Sequence, residues 1–309
     1  MNVFAINQFS LRSFDRVAQI SCQSAAELNL FIDVFGALQC SNEASAELNY
    51  TVELTGEPAV FRITRPGRPP LLAGDTGELL YLLEKDWTIE FQRLRHDLYF
   101  IHGAALELNG NAMLLVAPSG QGKSTTTWGL LHHGFGYLSD ELAPTDLETM
   151  QVQPYPHALC LKKEPPSAYP LPPQVARTRR TLHVPASALP GAAVKQPVPI
   201  RTLIFLEYCP NEESAPELVP ISKGEAAARL YTQALNPLAH EDDGLRGALA
   251  ISRAAGCYAL RSADLRLTCE LMTSTFLRSR LIERKFPQVS GQNAQSTHFV
   301  LQSNLRRSG

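Results

Sequence analysis

Residues Met113 to Trp128 read MLLVAPSGQGKSTTTW, and this stretch leaves the chain little choice of local structure. Met113-Leu114-Leu115-Val116 has the unbroken apolar character of a strand covered on both faces. A tight loop, Ala117-Pro118-Ser119-Gly120-Gln121-Gly122, follows, and Lys123-Ser124-Thr125 opens a helical pattern. Strand, glycine loop, Lys-Ser and helix in that order form the pattern of a phosphate-binding loop. Glycine at 120 and 122 frees the backbone to turn successive N–H groups inward, where the positive end of the helix also favours an anion. Lys123 would then reach the outer phosphates of a nucleotide, and the Ser124 hydroxyl a magnesium ion. The nucleotide-binding set is Ser119, Gly120, Gln121, Gly122, Lys123, Ser124 and Thr125, with ATP and Mg2+ as the expected ligands. Ala117 stands where the pattern usually has its first glycine.

A net charge of −2 over 309 residues supplies no basic face for nucleic acid or an anionic membrane. Six cysteines without C-x-x-C spacing argue against a zinc site and for free thiols, hence a cytoplasmic location. The first residues lack the basic start and apolar core of a secretory signal, and no apolar run is long enough to span a bilayer.

Three regions are expected. Residues 1–95 alternate as short strands, such as Leu48–Leu54 and Ala59–Ile63, and then turn helical from Asp75 to Leu98 with Leu79, Leu82, Leu83, Trp87 and Phe91 on one face. They form a small α+β region with a potential recognition role. Residues 96–285 carry the phosphate loop. Here Phe100–Leu108 is a strand, Asn109-Gly110 a hairpin turn, and Tyr137-Leu138 a strand ending in Ser139-Asp140-Glu141. Residues 163–197, dense in proline, are expected to be irregular, either a solvated loop or a mobile segment bringing Arg177, Arg179 or Arg180 to a phosphoryl group. Arg201–Tyr208 is a strong strand, and Glu207 either assists magnesium or pairs with a neighbouring cation. Residues 286–309 are polar and read as a flexible tail.

Two positions narrow the chemistry. Asp140 lies 17 residues after Lys123 at the end of the next strand, where a carboxylate could hold magnesium or take a proton, or merely cap a turn. The candidate metal ligands are Ser124, Asp140 and Glu141, although alternation along a strand keeps the two acids from facing the same way. His102, on the strand before the loop, is a core histidine or a group that orients Asp140 or stabilises phosphoryl charge.

The order His102-Gly103, hairpin, APSGQGKST, YLSDE resembles the HPr kinase/phosphorylase family over roughly residues 98–162, and weakly to 262. That resemblance implies an α/β P-loop kinase core similar to HPr kinase and phosphoenolpyruvate carboxykinase. It implies phosphorylation of a serine or other hydroxyl on a peptide, protein or small molecule, with Asp140 as general base, His102 supporting it and Lys123 on the phosphates. It also implies an oligomer. The family's Glu-x-Arg-Gly signature is replaced here by QVQPYPHALCLKK, and the N-terminal region is unlike the family's own. The chain therefore resembles a divergent HPr kinase-related branch. A nucleotide switch that hydrolyses ATP through a protein partner, or a nucleotide-binding pseudoenzyme, are the alternatives.

Overall fold

The computed structural model describes residues 7–41, 45–210 and 215–283, so the expected tail at 286–309 lies outside the described residues. The chain begins with β1 (Asn7–Ser13) and β2 (Arg16–Cys22), joined through Phe14 and Asp15 at positive φ, the two-residue turn that matches strand twist. Helix α1 (Ala25–Phe35) is opened by a reciprocal capping box between Ser24 and Glu27. β3 (Leu48–Thr55) returns parallel to β2, and β4 (Val60–Thr64) and β5 (Leu71–Ala73) complete a five-stranded sheet in chain order. Helix α2 (Thr76–Leu94) follows, capped by Asp75. Leu79, Leu83, Trp87 and Phe91 are fully buried at a spacing of four residues, the face the sequence expects. The helix ends four residues before Leu98, because Leu98 and Tyr99 form a short strand, β6.

The second part is a nine-stranded mixed sheet. β7 (Gly103–Leu108) and β8 (Asn111–Val116) form a hairpin through Asn109 and Gly110, both at positive φ. The phosphate loop and α3 (Lys123–Leu131) follow, then β9 (Gly136–Ser139), β10 (Thr145–Asp146) and β11 (Gln151–Val152). β12 (Leu159–Leu161), β13 (Ala176–Arg177) and β14 (Leu182–Val184) make a separate small sheet. The segment 163–197 is thus less irregular than its proline content suggests. β15 (Val198–Tyr208), β16 (Glu217–Pro220), α4 (Lys223–Tyr231), α5 (Leu245–Ala254), β17 (Gly256–Ser262) and α6 (Leu265–Glu283) complete the described chain. The strand order is β6-β10-β11-β15-β8-β7-β9, with β17 on the other side of β15 and β16 beyond it.

The apolar run of β8 is explained by two covered faces. Met113 and Leu115 join Trp128, Leu130, Cys269 and Met272 under α3 and α6. Ala112, Leu114 and Val116 join Ala226, Leu230, Ala248 and Ile251 under α4 and α5. The neighbouring strand β15 divides in the same way, with Ile204 and Leu206 on one side and Leu203 and Phe205 on the other. The fold is therefore mixed α/β with helices on both faces of the central strands.

The N-terminal sheet does not keep its core to itself. Leu98, Phe100, Leu142, Tyr155 and Ala158 pack with Phe9, Phe31, Phe35, Trp87 and Phe91. The Trp87 indole N–H donates to the Tyr155 hydroxyl at 3.1 Å, and Ala158 N donates to Val34 O at 2.6 Å. The six cysteines are free, and among the described residues no helix is long and apolar enough to cross a membrane.

This shared core generates a stability prediction. Trp87→Ala removes a fully buried indole and should cost about 3–5 kcal/mol. Denaturant unfolding followed by circular dichroism should show the loss in one cooperative transition, with no early phase for residues 7–95.

Candidate active site

Strand directions bring distant pieces of chain to one edge of the large sheet. β15 runs parallel to β8, while β7 is antiparallel to both β8 and β9. The ends of β8, β9 and β15 and the start of β7 therefore meet. The glycine loop leaves β8 there, Asp140 and Glu141 leave β9, and His102 precedes β7. Local hydrogen bonds tie them: Gly103 N donates to Glu141 O at 3.2 Å, and His102 bridges Leu142.

Within the loop, Gly120 and Gly122 have φ of +90° and +84°, with open space where a Cβ would point. A side chain there would cost backbone strain rather than a clash. Ala117 is buried and is not among the residues at positive φ, so glycine is not required at that position. No side chain caps the first turn of α3, so its N–H groups keep their capacity for an anion. Lys123 is 6 % exposed, and its ammonium donates to Ala117 O at 2.7 Å and Pro118 O at 3.3 Å, folding back over the loop. Burial holds this ammonium below its usual pKa, the charge of Lys162 adds to that, and Glu141 and then Asp140 oppose it. Gln121 accepts the Tyr208 N–H at 2.9 Å, which fastens the loop to the end of β15. Ser119 is exposed, and Ser124 and Thr125 are half-buried.

The acidic pair divides in the bend that follows β9, where Ser139 Oγ accepts the Glu141 and Leu142 N–H groups. Asp140 is 0 % exposed. One of its oxygens accepts the Tyr137 hydroxyl at 2.9 Å and lies 3.2 Å from His157 Nε2; the other accepts the Cys160 N–H at 3.0 Å. Glu141 turns the other way, its side chain 46 % exposed and its Oε2 3.6 Å from His102 Nε2. His102 faces Glu141 rather than Asp140. Both Asp140 oxygens are engaged by protein groups, and the residue has no exposed surface.

Behind Asp140 lies a buried cluster of ionisable groups that sequence reasoning missed. His157 sits between two carboxylates, with Nδ1 3.7 Å from Glu84 Oε1 on α2. Glu84 also accepts the Tyr155 hydroxyl at 2.9 Å. Burial raises the carboxyl pKa values of Asp140 and Glu84. Burial alone would lower His157, but Glu84 and Asp140 outweigh it and lift the imidazole above its usual value. Burial also pulls Glu141 upward, but contact with His102 and the positive charge of His157, His102 and Lys123 hold it below the ordinary carboxylate range. Nothing in the sequence marks these residues. Glu84 lies in a region with no recognisable chemistry, and Tyr137 and Tyr155 read as strand residues.

The remaining candidates fall elsewhere. Glu207 is exposed at the end of β15, 3.9 Å from Arg261, and so follows the ion-pair reading. Arg177 pairs with Glu164 at 2.6 Å; its hairpin packs on α1, and Thr178 meets Gly77 at the start of α2. Among the described residues no group of three or more His, Cys, Asp or Glu could hold a metal. The Ser124 hydroxyl and the Glu141 carboxylate are oxygen donors of the class magnesium takes, so this donor set fits that ion.

The raised pKa of His157 sets a sign for stability. Its contribution is fully present below the unfolded value of 6.5 and is lost as pH rises through the higher folded value. The thermal midpoint of the wild type over His157→Gln should be greatest near pH 6 and shrink by pH 9, as read by thermal unfolding across that range. Comparison with known proteins adds no name to this edge: no family model matches the chain, and no curated protein does.

Proposed function

We propose that this chain is a magnesium-dependent kinase that moves the γ-phosphoryl group of ATP to a hydroxyl on a peptide, protein or small molecule. The observation that carries the reading is the convergence, on one sheet edge, of a glycine loop folded under Lys123 and a half-exposed carboxylate–imidazole pair, Glu141 and His102. The resemblance of residues 98–162 to HPr kinase-related proteins supports it.

The loop N–H groups and the helix end would hold the phosphates, and Lys123 would leave the Ala117 and Pro118 carbonyls to meet the outer oxygens. Magnesium held at Ser124 would supply charge neutralisation on the phosphate oxygens. The acceptor oxygen forms a bond to the γ-phosphorus as the bond to the bridging oxygen breaks, and ADP carries away the displaced charge. Glu141 receives the acceptor proton, with His102 holding the carboxylate in place. Asp140 does not touch the reacting atoms in this reading; it locks β9 and β12 so that Glu141 stands at the rim. Charge at the loop, rather than covalent chemistry, supplies most of the acceleration.

Labelled γ-phosphate transfer into candidate acceptors, read by mass spectrometry, tests the proposal. Lys123→Ala should lose nucleotide binding and transfer together. Glu141→Gln should keep binding and lose roughly 10²–10⁴-fold in transfer. If folded Asp140→Asn loses transfer while Glu141→Gln keeps it, the base is Asp140 and the assignment is reversed. Hydrolysis to free phosphate with no labelled acceptor would favour the switch over the kinase.

A further inference from the structure

The loop holds a second cation that the sequence pattern does not announce. Lys162 follows β12 directly, and its ammonium donates to the Ser119 hydroxyl at 3.0 Å. Its backbone is held by neighbours on the preceding strand. Leu159 and Leu161 are buried in the core beneath α3, and Cys160 N donates to Asp140. The residue after β12 is thereby aimed at the phosphate loop, while its own side chain stays at the surface.

Two ammonium groups at one loop repel each other, and among the described residues neither Lys123 nor Lys162 has a carboxylate at salt-bridge distance. Such a pair is unfavourable until an anion with more than one charge comes between them. Ser119 itself is exposed, so an oxygen arriving at the loop meets Lys162 without displacing core structure. Arg177 of the neighbouring hairpin is paired with Glu164, and that hairpin packs on α1.

We propose that Lys162 is a phosphate-contacting residue that reads the terminal phosphate of a nucleoside triphosphate and so separates the triphosphate from the diphosphate. Lys123 and the loop N–H groups serve both nucleotides; Lys162 serves the added charge. This rests on the nucleotide reading above and names which side chain gives it selectivity.

Calorimetric titration of the full chain with MgATP and with MgADP tests it. Lys162→Ala should weaken MgATP roughly tenfold or more, because a hydrogen bond to a charged group is lost, and should leave MgADP within about threefold. Lys162→Arg should restore most of the MgATP affinity. Lys163→Ala, a change at the exposed neighbour, should match the wild type. Equal weakening of both nucleotides by Lys162→Ala, or no change in either, would overturn the role while leaving nucleotide binding intact. If the wild type binds neither nucleotide, the nucleotide reading itself fails and this inference falls with it.

Discussion

A carboxylate sealed from water is the constraint on which the site depends. Asp140 has no exposed surface, and a charge without solvent must find its partners in the protein. It finds them in Tyr137 on its own strand, the Cys160 N–H of β12 and His157. His157 in turn needs Glu84, and Glu84 belongs to α2 of the N-terminal sheet. One buried charge therefore ties together three segments of the chain, around residues 84, 137–140 and 157–160. A break anywhere in this set leaves an uncompensated buried group, which is costly in a way that loss of a surface pair is not.

The same arrangement gives the N-terminal region a part in the site. Its helix contributes Glu84 at the far end of the buried acid–imidazole cluster, and its core takes Tyr155 and Ala158 from either side of His157. Glu141 follows Asp140 directly, and Lys162 stands two residues after Cys160, whose N–H Asp140 accepts. The acidic pair is thus split between a buried member and a half-exposed one beside His102. Lys123 feels Glu141 ahead of Asp140, as that geometry requires.

Much of the fold was legible in local patterns. The hairpin at Asn109-Gly110, the buried face of α2 and the strands β3, β4, β8 and β15 all follow from periodicity and turn chemistry. The glycine loop was legible because its backbone conformation demands glycine at two close positions. Short strands such as β13 and β14 were not, because proline around them hides a pairing that only a distant partner, β12, makes favourable. Glu84 and Lys162 were equally opaque, since a lone charged side chain carries no periodic signal.

The sequence by itself determined that a glycine loop would pass from a doubly covered strand into a helix opened by Lys123, since these depend on residues next to one another in the chain. It also led to the expectation that Asp140 and Glu141 point to opposite sides, which holds although the pair lies in the bend just beyond β9 rather than in the strand. Which acid would be sealed, which histidine would meet it and which lysine would reach Ser119 were decided by tertiary structure alone. Those outcomes depend on desolvation and on contacts between segments up to 73 residues apart (Glu84 to His157), and neither is written in any local window.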